Sequence, residues 1–510
     1  MKLITVPFLL MILLSFCACT EVEKTTTINL KELTISEIHK AYTDGSYNSQ
    51  DLVKAYLLAI EELDHEINAI TTVNTKALDI AKVLDQEYRE TKVLRPLHGI
   101  PIIVKDNINT VGLPTTAGSL ALKDFVPEEN AFIINKLEDA GAIVLAKSNM
   151  AEWAFSPMHT ESSTGGITRN PYNLDFVPAG SSGGTAAAVA ANFATVGLGT
   201  DTGNSIRGPS SHNALVGFRT TLGLISREGI VPLFLRNDVV GPMCRTVEDA
   251  TRMMEIMVGF DPKDPITQNG VEAGKVNYKQ HLVKSGLEGA RIGVLRDLSE
   301  NGIDHEIKDL FKEAISDLDS LGAEIAFVTI PDFETLRQNQ WCAVFRNDVE
   351  SFLATYVKRD SIQTLEDIIS MGSTSEFAKE RLLESTTASG RWGDSDAECL
   401  NAYRDENRIA FREAIEAAMD SLNLDALVYP TWNNKPARIN YFQEEYKGDN
   451  NQVISPHTGQ PAFTVPMGYS IDNLPAGIQF LGRMFDEPTL VRLSYAYEQG
   501  TMHRRPPLVE

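Results

Sequence analysis

Residues 179–210 read AGSSGGTAAAVAANFATVGLGTDTGNSIRGPS. Two serine clusters, Ser181-Ser182 and Ser205, sit among glycines. Between them, residues 186–191 read as a helix packed through alanines, and residues 195–198 as the strand that follows. Small residues let backbone approach backbone, or a substrate, closely. A serine in such a setting can present its hydroxyl among free backbone N–H groups, which is what an acyl-transfer nucleophile needs.

Upstream, Ile100-Pro-Ile-Ile-Val-Lys105 is a short apolar run that ends in a lysine. An apolar run of this length predicts a strand buried on both faces. Desolvation among Ile102, Ile103 and Val104 would lower the lysine's pKa and favour the neutral amine, which can act as a base. The alternative is a lysine paired with a carboxylate such as Asp106. Lys105, Ser181 and Ser205 read as one catalytic unit. The backbone N–H groups of Thr202, Gly203, Asn204 and Ser205 are candidates for a nest that holds an oxyanion. A glycine-rich turn without chemistry is the alternative for that loop. Asp201 and Arg207 bracket the nucleophile and suggest an ion pair bracing the loop, with Ser182 as a further supporting residue.

Helices and strands alternate along the rest of the chain. Thr34-x-x-Glu37 is a capping box that opens a helix. Leu52, Tyr56, Ile60 and Leu63 recur at helical spacing. Residues 77–88, 131–140, 307–318 and 408–422 read as helices, and 142–146, 291–295 and 426–429 as strands. This alternation predicts α/β layers around a mostly parallel or mixed sheet. No repeat and no Pro- or Ser-rich linker divides the chain, so one large domain is expected. Residues 332–451 are less regular, and either form a lid or cleft wall or pack peripherally.

The chain has 510 residues, with 46 basic against 69 acidic side chains and a net charge of −23. Such an acidic surface repels phosphate backbones, so no nucleic-acid partner is expected. Lys2, an apolar run over residues 3–14 and Ser15-Phe-Cys-Ala-Cys19 describe an export signal too short for a comfortable membrane span. Ala18-Cys19 is similar to a bacterial lipoprotein cleavage site, with Cys19 as the lipidated residue. The expected organisation is therefore a lipoprotein-type signal over 1–19, a polar tether over 20–30 and the folded domain over 31–510. The protein is expected to be exported and held at a bacterial membrane only by its N-terminal lipid. Cys244, Cys342 and Cys399 remain for the folded body, with no disulfide framework or metal-ligand spacing evident. His65-Glu66 and His305-Glu306 lack the second histidine of a zinc-protease motif.

Neither serine lies in a G-x-S-x-G elbow, which disfavours the α/β-hydrolase arrangement. No histidine motif points to a Ser-His-Asp triad. The glycine pairs lack phosphate-loop and dinucleotide spacings. Taken with Gly99-Ile-Pro-Ile-Ile-Val-Lys-Asp-Asn107, Val239-Val-Gly-Pro-Met243, Gly459-Gln-Pro-Ala462 and Leu474-Pro-Ala-Gly-Ile-Gln-Phe480, the opening stretch resembles the amidase signature family of amide hydrolases. The likeness runs from about residue 30 to residue 505.

The resemblance implies a central mixed, twisted β-sheet covered by helices on both faces. It also implies a Ser–cisSer–Lys triad: Lys105 as base, Ser181 as relay after a cis peptide, and Ser205 as nucleophile. No metal or organic cofactor is implied. The substrate would be a small-molecule or peptide amide, with Phe155 and Ser156 where the family lines its pocket. Core packing by Trp153 and Phe155 is the competing reading. Two alternatives within this scaffold are an amidase subunit that passes ammonia to a partner and a non-catalytic binding lipoprotein. The chain departs from the family at Gly203-Asn204-Ser205, where Gly-Gly-Ser is common, and at Phe218-Arg-Thr-Thr221.

Overall fold

The computed structural model describes residues 28–342, 344–386 and 399–508. The signal, Cys17 and Cys19 lie outside the described residues.

The apolar runs become strands. In chain order, the first half contributes β1 (Ile70–Val73), β2 (Pro101–Lys105), β3 (Ile143–Ser148), β4 (Glu161–Ser162), β5 (Gly166–Ile167), β6 (Val196–Asp201), β7 (Val216–Arg219) and β8 (Val239–Cys244). The second half contributes β9 (Arg291–Leu295), β10 (Glu324–Val328), β11 (Ala426–Pro430), β12 (Ala462–Tyr469) and β13 (Pro475–Leu481). Eleven of these form one sheet in the order β1-β3-β2-β6-β8-β7-β12-β13-β11-β9-β10, while β4 and β5 pair separately. The sheet is mixed: β2 runs parallel to β3 and β6, and β9 parallel to β10 and β11, while β6, β7, β8, β12 and β13 join antiparallel.

Every residue of β2, β3, β6, β8 and β13 is buried. This is the burial expected of strands covered on both faces, and each buried Ile or Val contributes roughly 1.5–3 kcal/mol. The helices Gly183–Ala190 and Arg207–His212 pack against β2, β6, β12 and β13. The helices Val247–Met257, His305–Ser320 and Glu487–Thr501 form a second contacting group on β7, β8, β12 and β13. The capping box at Thr34 and Glu37 opens the helix Ile35–Asp44.

The helix Gly183–Ala190 is made wholly of small buried residues. A Cβ on Gly184 would run into the backbone of Asn149 and Ala69, so only glycine lets this helix sit so close.

Residues 332–451 do not all pack peripherally. Phe345, Val349, Phe352, Leu365 and Phe377 share a core cluster with Trp153 and Phe155. The cysteine expectation needs correction. Cys342 and Cys399 form a disulfide with Cα atoms 5.9 Å apart, a normal span for such a bond. Their separation of 57 residues follows no spacing rule, which is why the sequence does not reveal it. Cys244 is free and buried in β8.

Candidate active site

Lys105 is the last residue of β2, and its side chain is fully buried. Nζ lies 2.7 Å from Ser181 Oγ, 2.8 Å from Thr200 Oγ1 and 3.4 Å from Thr200 O. Burial pushes its pKa down to about 7, against the opposing pull of the Asp201 and Asp238 carboxylates. A neutral amine in this place has two N–H groups for the two Thr200 oxygens. Its lone pair then remains for the Ser181 hydroxyl.

Lys105 does not pair with Asp106. That carboxylate lies 3.8 Å from Lys147 Nζ and accepts from the Thr116 hydroxyl. The peptide between Gly180 and Ser181 is cis. A Cβ on Gly180 would collide with the carbonyls of Ser156 and His159, so glycine is required before the serine. Ser182 points elsewhere: its hydroxyl donates to Thr200 O at 3.2 Å and accepts from Thr200 N at 3.3 Å.

Ser205 lies in the loop between β6 and the helix Arg207–His212. Its hydroxyl donates to Asn204 Oδ1 at 3.3 Å rather than to Ser181. The N–H groups of Thr202, Gly203, Asn204 and Ser205 make no hydrogen bond among the described residues. The Thr202 hydroxyl donates to Asp238 Oδ1 at 2.5 Å.

Asp201 anchors the loop. It accepts from Arg207 Nε at 3.0 Å, Arg219 Nη1 at 2.9 Å and Ile206 N at 3.2 Å. Burial alone would raise its pKa; the guanidinium groups of Arg207 and Arg219 outweigh that and hold it at about 2. Arg207 also donates to Gly203 O at 2.8 Å and to Asn451 O at 3.0 Å, so the loop is braced from both sides.

A cavity of about 210 Å³ opens beside Ser205. Thr202, Gly203, Asn204 and Ser205 line it together with Phe155, Pro157, Met158 and Leu233. Trp341, Phe377, Arg381, Tyr446 and Gln452 complete the lining. Phe155 thus lines the cavity and also packs in the core, with its ring 4.8 Å from that of Phe345. Ser156 is not among the residues that line the cavity, and its hydroxyl meets His159 Nδ1 at 2.7 Å.

Several site residues escape sequence reasoning. Thr200 touches Lys105, and Asn107 Nδ2 donates to Thr200 Oγ1 at 3.1 Å. Asn107 stands in the quoted Lys-Asp-Asn motif, and that adjacency was the available signal. Arg219, noted in the sequence only within the departure Phe218-Arg-Thr-Thr221, and Asp238, which carries no sequence signal, reach the loop from neighbouring elements.

A buried lysine in contact with a serine, and a second serine that lines a cavity beside unpaired loop N–H groups, are the parts an acyl-transfer site needs. The sequence profile of the Amidase family matches residues 51–491. A probable amidase of Arabidopsis thaliana is 33% identical, over 97% of this chain and 95% of its own length. A glutamyl-tRNA(Gln) amidotransferase chain from Alkaliphilus metalliredigens is 33% identical, over 92% of this chain and 97% of its own. Among solved structures, native peptide amidase from Stenotrophomonas maltophilia matches with a TM-score of 0.81 and 34% identity, covering 94% of this chain and 99% of the other. The chain belongs to the amidase signature family and is an enzyme that hydrolyses amides to carboxylate plus ammonia or amine.

Proposed function

We propose that the enzyme works through an acyl-enzyme on Ser205 and acts on small peptide or acyl amides with an apolar group next to the scissile carbonyl. The observation that carries this reading is the 2.7 Å contact between Lys105 Nζ and Ser181 Oγ, in a chain whose Ser205 lines a cavity. In this reading the Ser205 hydroxyl leaves Asn204 Oδ1 and turns to Ser181. Ser181 then accepts its proton while passing its own to the neutral Lys105. The Ser205 Oγ–C bond forms and the carbonyl electron pair moves onto oxygen, where the N–H groups of Gly203, Asn204 and Ser205 receive it. Collapse breaks the C–N bond, and the proton returns through Ser181 to the leaving nitrogen. Water then attacks the acyl carbon by the same relay.

The substrate class rests on the cavity. Phe155, Met158, Leu233, Trp341 and Phe377 offer apolar and aromatic surface to the acyl side. Ammonia released from dipeptide amides should be fastest when the C-terminal residue is apolar, by roughly tenfold or more over an acidic one, as burial of a few methylenes predicts. Equal turnover of acidic and apolar amides would count against this reading.

We also propose export and anchoring through Cys19. The Cys342–Cys399 disulfide supports this, since such bonds persist in oxidising compartments. Metabolic labelling with a tagged fatty acid should mark the wild-type chain and not Cys19→Ser. A wild-type chain that stays unlabelled would remove the anchor.

A further inference from the structure

Asn204 occupies the position beside the nucleophile where the resembled family commonly has glycine. Its side chain is buried and fixed at both ends. Nδ2 donates to Pro157 O at 3.2 Å, and Oδ1 accepts from Ser205 Oγ at 3.3 Å. Pro157 O is a carbonyl and can only accept, so the amide must present its NH2 there and its oxygen to the nucleophile. The side chain lies over Gly208, where a Cβ would come within 2.8 Å of Nδ2. Asn204 therefore cannot turn away without leaving Pro157 or striking that helix.

This geometry has a consequence during attack. When Ser205 gives its proton to Ser181, Asn204 Oδ1 loses its donor. Asn204 is 1% exposed, so little water can replace it, and a buried acceptor left unpaired is costly. Three groups surround the attacked carbon besides Ser205. The oxyanion is an acceptor and is repelled by Oδ1. The acyl side enters the apolar cavity. Of the atoms bonded to the attacked carbon, only the amide nitrogen brings an N–H donor.

We propose that Asn204 Oδ1 exchanges the Ser205 hydroxyl for an N–H of the scissile amide, and so selects amides that carry an N–H over esters and tertiary amides. This rests on Ser205 being the nucleophile, as proposed above. The bond orients the nitrogen as the C–N bond weakens and stays with it until ammonia or amine departs. No proton moves onto Asn204, and the relay through Ser181 and Lys105 supplies the leaving group's proton.

The test compares one acyl group as primary amide, methyl ester and N,N-dimethylamide, in wild type, Asn204→Gly and Asn204→Ala. Both variants should lower kcat/KM for the primary amide by about ten- to a hundredfold, the rate equivalent of one lost hydrogen bond to a reacting group. The ester and the dimethylamide, which have no N–H, should lose at least threefold less than the primary amide does, whatever both variants cost all substrates alike. The amide-to-ester ratio therefore falls, and ester turnover reports that the variant is folded and its nucleophile intact. Equal losses on amide and ester would make Asn204 a structural support and overturn the proposal. So would an unchanged primary-amide rate. A wild-type enzyme that turns over the amide with an unchanged ratio in the variants sinks this inference alone, whereas amide turnover that survives Ser205→Ala sinks the reading it rests on.

Discussion

Ser205→Ala should lower amide turnover by on the order of 10⁶-fold, the scale seen when a nucleophile that acts as part of a unit is removed. The substitution deletes one oxygen whose hydrogen bond runs to the neighbouring Asn204. The loop is held by other atoms: Asp201 grips Arg207, Arg219 and Ile206 N, and Arg207 grips Gly203 O. The variant should therefore fold with a Tm within a few degrees of wild type. The N–H groups of Gly203, Asn204 and Ser205 remain in place, so substrate amides still bind. A fluorophosphonate, which needs a serine oxygen to attack phosphorus, should mark the wild-type enzyme and leave the variant unmarked. Intact-mass measurement checks this directly. Labelling that survives in Ser205→Ala would move the nucleophile to another serine, with Ser181 the first to examine.

Much of the frame was legible from local pattern. β2 and β9 follow from short apolar runs, and the helix Ile35–Asp44 from a capping box. These are short-range features, and sequence shows them because the physics that makes them is local. Lys105 and Ser181 are 76 residues apart; the residue types suggested one unit, the resemblance gave the pair its roles, and the structure puts them in contact.

Much of the cavity lining was not legible. Trp341, Tyr446 and Gln452 come from scattered positions, and Phe377 and Arg381, one helical turn apart on the helix Glu376–Glu384, join them only through the fold. Their meeting is a product of tertiary packing, stapled near Trp341 by the Cys342–Cys399 bond. Ser156 shows the converse limit of local reading. Its position beside Phe155 marked it for the pocket, but a serine can satisfy itself locally, and His159 three residues on supplies the partner. Asn204 stood out in the sequence as a departure. Only the bonds to Pro157 and Ser205 show which way its amide faces.

Lys105→Met should lower kcat/KM by about 10²–10⁴-fold, the usual contribution of a positioned general base. Methionine matches the length of the lysine stem in an apolar site, so the strand end stays filled. Thr200 keeps partners without the lysine: Asn107 donates to its hydroxyl and Ser182 to its carbonyl. In the wild type, burial lowers the Lys105 pKa to about 7, so the base is available above that pH and protonated below it. The wild-type kcat/KM profile should accordingly fall on the acid side with a midpoint near 7. The residual activity of Lys105→Met should lose that limb.

Stability supplies an independent sign. The unfolded chain holds this proton up to about 10.5 and the folded one only to about 7. Between those values the unfolded state binds more protons, so wild-type stability rises with pH. The penalty for burying Lys105 is greatest below pH 7 and fades toward 10.5. Lys105→Met escapes that penalty, and its Tm relative to wild type should be higher at pH 6 than at pH 9. A variant with near-normal turnover, or one that keeps the acid limb at the same midpoint, would remove Lys105 as the base. A Tm difference that grows with pH instead would mean that the amine is charged in the folded enzyme, which leaves no lone pair to receive the Ser181 proton.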